Sequence, residues 1–232
     1  MSQRLDTSFF ARPAEQVASS LLGTMLCRQL ASGAPLTAVI LETEAYTGPQ
    51  DLASHARNGA RTLRNEPMWA KPGTGYVYFT YGMHYCFNVS CHQQGHPAAV
   101  LIRAAAAHEG TAQMCALRYG PPANVKLGYS KAQVADVLRG PARLCAAMNI
   151  GKEFSGVDLC QPQSSLWFMH GPDLPFDIQS GARIGLGTKA GSWADSPLRF
   201  SIAGHRGVSG SAAQNARQTL GDTDHRKPSR SR

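Results

Sequence analysis

The stretch T-G-Y-V-Y-F-T-Y-G-M-H-Y-C-F-N-V-S, residues 74–90, contains two runs of aromatic and β-branched residues, 76–80 and 85–90. Such runs favour β-strands, and the short segment between them contains Gly82, so the stretch predicts a β-hairpin. Its tip would carry Tyr81 and Met83, two apolar side chains that soluble proteins seldom leave exposed without a partner. The tip either packs against another part of the chain or acts as a wedge into something flat, such as a stack of bases.

Length and composition indicate one globular domain. The chain has 232 residues, of which 43% are hydrophobic, which is enough for one sizeable core. No linker-like stretch precedes residue 204, so we expect a single domain over residues 1–204. Beyond it the composition turns to Gly, Ser, Gln, Arg and Asp, which predicts a basic, disordered tail over residues 205–232.

The sequence gives no sign of a membrane or secretory protein. No stretch approaches the about 18 uninterrupted apolar residues of a membrane span, and residues 1–10 do not resemble a signal peptide. The six cysteines include no C-x-x-C pair, which suits a reducing compartment. We therefore expect an intracellular protein with no membrane contact, in the cytoplasm or nucleoid of a bacterium or the nucleus of a eukaryote.

The charge balance favours a polyanionic partner. The formal net charge is +8, and arginines greatly outnumber lysines. A basic surface attracts phosphate without regard to sequence, and the planar guanidinium suits bidentate phosphate contacts. Nucleic acid is therefore favoured over a membrane surface.

The run V-I-L-E-T-E-A-Y, residues 39–46, predicts a strand that carries chemistry. A period of two places Glu42, Glu44 and Tyr46 on one face of this strand. Carboxylates on a mostly apolar strand are unfavourable unless they are partnered. Arg103, the one charge in the apolar run 98–105, needs such a partner, and either glutamate is a candidate. The pattern fits a general base beside an aromatic ring, or an exposed face with ordinary glutamates.

Two further segments are candidate phosphate contacts. The Gly- and Pro-punctuated loop 48–72 is a plausible track for a phosphate backbone, or else a solvated charged loop. After a predicted capping box at Ser130 and Gln133, a second helix begins at Pro141, and residues 140–143 fit an anion site at its N-terminus. The alternative there is a plain helix connection. The basic side chains of the loop are His55, Arg57, Arg61, Arg64 and Lys71.

Several other chemistries are disfavoured. A serine hydrolase would need a G-x-S-x-G motif, and a covalent lyase would need a lysine near the other candidates, where Lys71 and Lys126 do not lie. The strand-like segment 182–186 belongs to no G-x-G-x-x-G fingerprint. We expect neither a metal nor another cofactor. A zinc site is disfavoured because the residues of suitable type have the wrong spacing. They are His84, Cys86, Cys91 and His92.

Nine blocks of sequence resemble one family, the alkyladenine (3-methyladenine, methylpurine) DNA glycosylases, in order and spacing over roughly residues 7–203. The blocks are E-T-E-A-Y-x-G at 42–48, S-H-A-R around His55, R-x-x-R-N at 61–65, K-P-G-T-x-Y-V-Y-x-x-Y-G-M at 71–83, C-x-N at 86–88, V-L-I-R-A at 100–104, G-P-x-R-L at 140–144, R-I-G-L-G at 183–187 and P-L-R-F at 197–200.

The resemblance implies an α+β fold: a single compact domain with a curved, mainly antiparallel β-sheet, flanked by helices and carrying a protruding hairpin that enters DNA. Tyr81 matches the residue that replaces the flipped nucleotide, and Met83 is expected at the same gap. Arg64 and Arg143 match phosphate contacts. Arg57 and Arg61 match less well, because residues 58–60 depart from the family's Gly-rich, Arg-bearing loop.

The resemblance also implies a substrate pocket. Tyr46, His55 and Tyr78 match the aromatic pocket that stacks on the extruded purine, where an electron-poor alkylated base gains most. Asn88 matches the residue that crowds the 2-amino group of guanine.

A catalytic group is implied as well. Glu44 matches the general base, which with Arg103 and a backbone carbonyl near Ile184 holds the attacking water. Glu42 is expected to be structural. The strand period alone cannot separate the two glutamates.

The function implied is that of a monofunctional DNA-3-methyladenine glycosylase acting on double-stranded DNA as a monomer. Its substrates would be 3-methyladenine and 7-methylguanine, with hypoxanthine and ethenoadenine as further candidates, and its product an abasic site. The main alternative is a noncatalytic nucleic-acid-binding module, which would have no use for a strand-borne Glu44 paired with Arg103. An RNA binder tolerant of methylation and a metal hydrolase are the others.

Overall fold

A computed structural model describes residues 3–31, 33, 35–173 and 175–220 of the chain. These residues form a nine-stranded sheet in which every pairing is antiparallel, with helices packed against it. The expected α+β class, with a single compact domain, is confirmed. The strands are β1 (Met25–Gln29), β2 (Pro35–Tyr46), β3 (Gly75–Thr80), β4 (His84–Cys91), β5 (Ala98–Glu109), β6 (Leu166–Met169), β7 (Ile178–Gly181), β8 (Arg199–Ile202) and β9 (Thr219–Leu220).

The sheet is ordered β3-β4-β5-β2-β8-β7-β9, and β1 joins it through pairs with β2 and β6. The apolar core lies where α2 packs on β2 and where α5 packs on β4 and β5. The described residues contain no helix long and apolar enough to cross a membrane. The helices are α1 (Thr7–Phe10), α2 (Ala14–Leu21), α3 (Thr111–Tyr119), α4 (Lys131–Asp136), α5 (Pro141–Ala147) and α6 (Ala212–Ala216), and the 3-10 segments are Arg57–Gly59, Glu66–Trp69, Lys152–Phe154 and Thr188–Asp195.

The central pair β2 and β5 is interrupted where its charged residues lie. Ile40 pairs with Ala105 and Glu42 with Ala104, so Leu41 is an extra residue on β2. The next pair is Thr43 with Ile102, which leaves an extra residue, Arg103, on β5. Bulges of this kind bend a strand locally and re-aim side chains. Here the two bulges lie beside Glu42 and Arg103, whose side chains form an ion pair within the sheet.

The predicted hairpin is confirmed as β3 and β4. Its turn places Tyr81 at φ +51° and Gly82 at φ +68°, and the N–H of Met83 donates to the carbonyl of Thr80 over 3.2 Å. Two successive positive φ angles match the twist of a two-stranded ribbon. Tyr81 is 83% exposed and Met83 69% exposed, so the tip does not pack against the described remainder of the chain.

The expectation of a disordered tail from residue 205 is wrong for residues 205–220. Val208 and Ser209 are buried, α6 begins at a capping box of Ser211 and Gln214, and β9 pairs with β7. The segment is polar in composition but makes its contacts to buried charged groups, which composition does not reveal. The rest of the predicted tail, residues 221–232, lies outside the described residues.

The base of the hairpin sets a tight constraint on Gly75. Its N–H donates to the carbonyl of Val157, and its own carbonyl accepts from Gly156, both over 2.8 Å. A Cβ built on Gly75 would lie 2.4 Å from the carbonyl oxygen of Phe154. Because that neighbour is backbone, the clash cannot be relieved by a side-chain rotation.

We therefore expect Gly75→Ala to lower the free energy of unfolding by about 2 kcal/mol, as overpacking does. Gly187→Ala is the matched control, because residue 187 has φ −78° and open space around it. Urea denaturation of both variants measures the difference. Equal stability of the two would contradict this packing of the hairpin base.

Candidate active site

A cleft of about 640 Å³ opens beside the hairpin. Its walls come from the end of β2 and the loop that follows it, from β3, β4 and β5, and from residues 184–190. Six of the predicted site residues line it directly, which brings together parts of the chain that are far apart in sequence. They are Tyr46, His55, Tyr78, Asn88, Arg103 and Ile184, and the predicted DNA contacts Arg64 and Tyr81 line it as well.

Arg103 is the centre of a buried charge cluster behind the cleft floor. Its Nε donates to Oε1 of Glu42 over 2.8 Å, and its Nη1 lies 3.0 Å from Oε1 of Glu44. Its Nη2 donates to Oγ of Ser209 over 3.1 Å. Burial opposes the charge of Arg103, but Glu44 and Glu42 outweigh that effect and raise its pKa. The guanidinium is therefore a fixed cation that holds both glutamates.

Glu44 is completely buried and does not itself line the cleft, whereas its partners Tyr46, Arg103 and Ile184 do. The backbone N–H of Ile184 donates to Oε1 over 2.7 Å, and the hydroxyl of Tyr46 donates to Oε2 over 3.0 Å. A carboxylate oxygen accepts about two hydrogen bonds. Oε1 is therefore occupied by Arg103 and Ile184, whereas Oε2 keeps acceptor capacity for a further donor.

Glu42 has a different surrounding. It accepts from Nη1 of Arg199 over 3.2 Å and from the backbone N–H of Ser209 over 2.7 Å, in addition to Arg103. Burial would raise the pKa of Glu42, but Arg103 and Ser209 lower it overall. All its partners are buried protein groups, so these contacts support a structural role. Both candidate partners of Arg103, Glu42 and Glu44, form ion pairs with it.

The aromatic walls of the cleft are rigid. The ring centroids of His55 and Tyr78 lie 4.6 Å apart at 78°, and those of Tyr76 and Tyr78 lie 5.5 Å apart. Nδ1 of His55 is hydrogen-bonded with the hydroxyl of Tyr76 over 2.7 Å. Burial raises the pKa of Tyr78 and of Tyr46, so both are neutral phenols.

A buried ion pair ties two of the cleft walls together. Asp51 and Arg183 meet through two hydrogen bonds of 2.5 and 2.8 Å, and Arg183 also donates to the carbonyl of Ala45 over 2.9 Å. The guanidinium lies 4.7 Å over the ring of Tyr46. The strand predicted over residues 182–186 is therefore wrong: Arg183 turns inward to Asp51, and the following residues form a cleft-lining loop.

Comparison with known proteins agrees with this geometry. The family model for methylpurine-DNA glycosylase (MPG) matches residues 8–206. The chain belongs to the methylpurine-DNA glycosylase family. The resemblance seen in the sequence is thereby confirmed.

Relatives of this methylpurine-DNA glycosylase family member come from animals and bacteria. A Mus musculus protein named DNA-3-methyladenine glycosylase is 44% identical over 211 residues, which are 90% of this chain and 62% of the relative. The Homo sapiens protein of that name is 42% identical over 210 residues, 89% of this chain and 68% of the relative. A Desulfitobacterium hafniense (strain Y51) protein named Putative 3-methyladenine DNA glycosylase is 39% identical over 210 residues, 89% and 98% of the two chains. The chain thus spans about two thirds of the mammalian relatives and nearly all of the bacterial one.

The predicted DNA contacts fall into two groups. Tyr81 and Arg64 line the cleft, and Arg64 lies 5.1 Å over the ring of Tyr78. Met83 shares the hairpin tip but does not line the cleft. Arg143 does not line it either: it forms an ion pair of 2.5 Å with Asp136. The ion pair uses only Nη1 of Arg143, and the DNA role of this residue stays a prediction.

Sequence reasoning missed or set aside four residues of this family member's site. Tyr76 lines the cleft beside Tyr78, and the period of two along β3 was a signal for it. Arg57 also lines the cleft, although the motif comparison had disfavoured it. Lys189 lines the rim from a 3-10 segment, and Ser209 reaches Arg103 from a stretch with no motif. The described ranges contain no group of three or more His, Cys, Asp or Glu side chains arranged to hold a metal ion.

The lowered pKa of His55 makes the folding stability depend on pH. Burial lowers the pKa of His55 from 6.5 to about 4, with help from the cations Arg64 and Arg57. The unfolded chain therefore takes up a proton at this residue near pH 6.5, whereas the folded protein does so only near pH 4. The stabilisation is complete above pH 6.5 and is lost as the pH falls from about 6.5 to about 4.

We expect an NMR titration of the His55 ring to give a midpoint near pH 4. As the pH falls from about 6.5 to about 4, His55→Gln should lose less folding stability than wild type, because glutamine does not take up a proton. Urea denaturation of both proteins at several pH values measures the difference. A ring midpoint at or above 6.5 would contradict the described surroundings of His55.

Proposed function

We propose that this protein hydrolyses the N-glycosidic bond of alkylated or deaminated purines in double-stranded DNA and leaves an abasic site. The observation that carries the proposal is the Glu44 carboxylate, held by Arg103 and Ile184 behind an aromatic cleft, with acceptor capacity left on Oε2. The names of the relatives from Mus musculus, Homo sapiens and Desulfitobacterium hafniense point to the same reaction class.

The cleft suits a flipped purine. Tyr46, His55 and Tyr78 offer aromatic surface, which attracts a cationic alkylated base more strongly than a neutral one. Asn88 is buried on the wall, where its Nδ2 donates to the carbonyl of Tyr76 over 3.1 Å. That bond holds the amide in place, and we assign Asn88 the role of crowding the 2-amino group of guanine. The substrates proposed are 3-methyladenine and 7-methylguanine, then hypoxanthine and ethenoadenine.

The chemistry follows from the contacts of Glu44. A water that donates to Oε2 is oriented towards C1′ and gives its proton to the carboxylate as its oxygen bonds to that carbon. The bond from C1′ to the base breaks with its electron pair going to the base, through an oxocarbenium-like sugar. An alkylated purine is already cationic, so it leaves without an acid. Arg103 orients Glu44, and the N–H of Ile184 fixes Oε1. A backbone carbonyl near Ile184 is a further proposed contact for the water.

The hairpin and the positive charge supply the DNA interaction in this proposal. Tyr81 and Met83 expose apolar surface on a tight turn, which suits a wedge that fills the gap left by a flipped nucleotide. Arg64 and Arg143 are the proposed phosphate contacts, and the net charge of +8 favours DNA generally. We propose a monomer that acts on chromosomal DNA inside the cell, in the cytoplasm or nucleoid of a bacterium or the nucleus of a eukaryote.

We propose a monofunctional enzyme. Lys71 and Lys126 do not line the cleft, whereas Lys189 does and is the candidate Schiff-base group there. Lys189 is solvent-exposed at the rim, whereas Glu44 lies buried behind the wall. Water attack assisted by Glu44 therefore remains the proposed route, and a borohydride trap distinguishes it from attack by an amine.

The test is single-turnover excision from duplexes carrying an N-methylated purine, hypoxanthine or ethenoadenine, in EDTA. Wild type should release the base from at least one lesion, with strand cleavage only after alkali and no borohydride-trapped adduct. Glu44→Gln, which cannot accept the proton, should lower the rate at least about a hundredfold while binding persists. Glu109→Gln, an exposed glutamate at the end of β5, is the matched control.

Each alternative predicts a different result. Tight duplex binding without release of any lesion favours the noncatalytic binding module. Loss of activity in EDTA favours a metal hydrolase, and preference for methylated single-stranded RNA favours an RNA binder. An unchanged rate in Glu44→Gln removes Glu44 as the base.

The wedge role of Tyr81 gives a separate prediction. Tyr81→Ala should slow excision from a fully paired lesion duplex about tenfold, because the flipped state loses the ring that replaces the base. The loss should shrink when the lesion lies in a single-nucleotide bulge, where no pairing opposes flipping. An equal loss on both substrates, measured by single-turnover rates, would assign Tyr81 a role other than the wedge.

A further inference from the structure

The segment 207–218, called here the C-terminal segment, begins just after the part of the chain that the family model matches, residues 8–206. It nevertheless reaches the charge cluster behind the cleft. Ser209 is buried, donates its backbone N–H to Oε2 of Glu42 over 2.7 Å, and accepts at Oγ from Nη2 of Arg103 over 3.1 Å. One residue therefore contacts both a carboxylate and the guanidinium of the cluster.

Ser209 completes the set of acceptors around Arg103. Nε of Arg103 is bound to Glu42, Nη1 to Glu44 and Nη2 to Ser209, so each nitrogen has a partner. Without the Ser209 hydroxyl, Nη2 would be a buried donor with no acceptor among these groups. Such a donor is unfavourable in a dry site, and the guanidinium relieves it by moving. Any such movement also displaces Glu44, which Nη1 holds.

Hydrogen bonds hold the chain in place on both sides of Ser209. Nε of Arg139 donates to the carbonyl of Val208 over 2.9 Å. On the other side, the completely buried Arg199 donates to Oδ1 of Asn215 over 3.1 Å and to the carbonyl of Gln214 over 2.9 Å. The segment is therefore anchored to the cluster at several points, although its composition is polar.

The same segment also borders Ile184. Gly210 adopts φ +86°, and a Cβ built on it would lie 2.8 Å from Cδ1 of Ile184 and 3.4 Å from Nη1 of Arg199. Ile184 is the residue whose N–H holds Oε1 of Glu44. The C-terminal segment thus touches two of the three groups that fix Glu44, namely Arg103 and Ile184.

We propose that Ser209 is a positioning residue for base excision: its hydroxyl fixes Arg103 and, through Arg103, the orientation of the Glu44 carboxylate. The inference rests on the proposed function, because it concerns the geometry of that reaction. It assigns to the C-terminal segment a part in the rate of the chemical step that is separate from DNA binding.

The experiment compares Ser209→Ala, Ser209→Thr and Ser211→Ala in the full chain. Ser211→Ala is the matched control, because it removes a helix cap of the same segment on the exposed surface without touching Arg103. Single-turnover excision at saturating enzyme gives the rate of the chemical step, and a titration with the same lesion duplex gives Kd. We expect Ser209→Ala to be about tenfold slower with Kd unchanged, the loss of one hydrogen bond to a charged group.

Ser209→Thr keeps a hydroxyl and should therefore retain most of the wild-type rate. Ser211→Ala should match wild type. Wild-type rate in Ser209→Ala overturns the inference, and so does a parallel loss of rate and binding in both alanine variants. If Ser209→Ala fails to fold, Ser209→Cys carries the comparison, because a thiol of similar size is a weak acceptor. If wild type itself excises no lesion, the proposed function fails, and the inference that rests on it fails with it.

Discussion

Four charges buried in one place constrain the structure more than any other feature. Glu42, Glu44, Arg103 and Arg199 are nearly or completely inaccessible to solvent, and ions removed from water are tolerated only when they are paired and fully hydrogen-bonded. Two anions face two cations, so the set is neutral. Strands β2, β5 and β8 supply these four groups, and the C-terminal segment supplies further hydrogen-bond partners for three of them. Loss of one member leaves the others with uncompensated charge, so the site and the sheet centre are stable only together.

The same requirement connects stability to chemistry. Most hydrogen-bonding capacity in the cluster is used within the described part of the protein: Nε of Arg199 has no partner there, and Oε2 of Glu44 keeps acceptor capacity beside the hydroxyl of Tyr46, a cleft-lining residue. A rigid surrounding of this kind orients a base without reorganisation during the reaction. Tyr81 is exposed at the tip of the hairpin, where it contributes little to folding and is available for a partner.

Local patterns in the sequence predicted those parts of the fold that local physics determines. The aromatic runs and Gly82 predicted the hairpin, and the period of two placed Glu44 and Tyr46 together, where the structure joins them by a hydrogen bond. The pattern could not rank the two glutamates, because the ranking depends on partners that are distant in sequence. Arg183 was predicted in a strand and Ser209 in a disordered tail, and both predictions failed for the same reason. The conformations of these residues are set by ion pairs and hydrogen bonds to residues distant in sequence, which local composition does not reveal. Motif resemblance supplied the roles proposed for the pocket residues.

The most direct test of the central claim is a structure of the protein bound to a duplex whose damaged nucleoside carries a 2′-fluorine, which destabilises an oxocarbenium-like sugar and so slows cleavage. We expect the purine between Tyr46, His55 and Tyr78, the Tyr81 ring in the base stack, and a water between C1′ and Oε2 of Glu44. A base that remains stacked in the duplex, or a flipped base whose C1′ lies beyond the reach of any water held by Glu44, would contradict it.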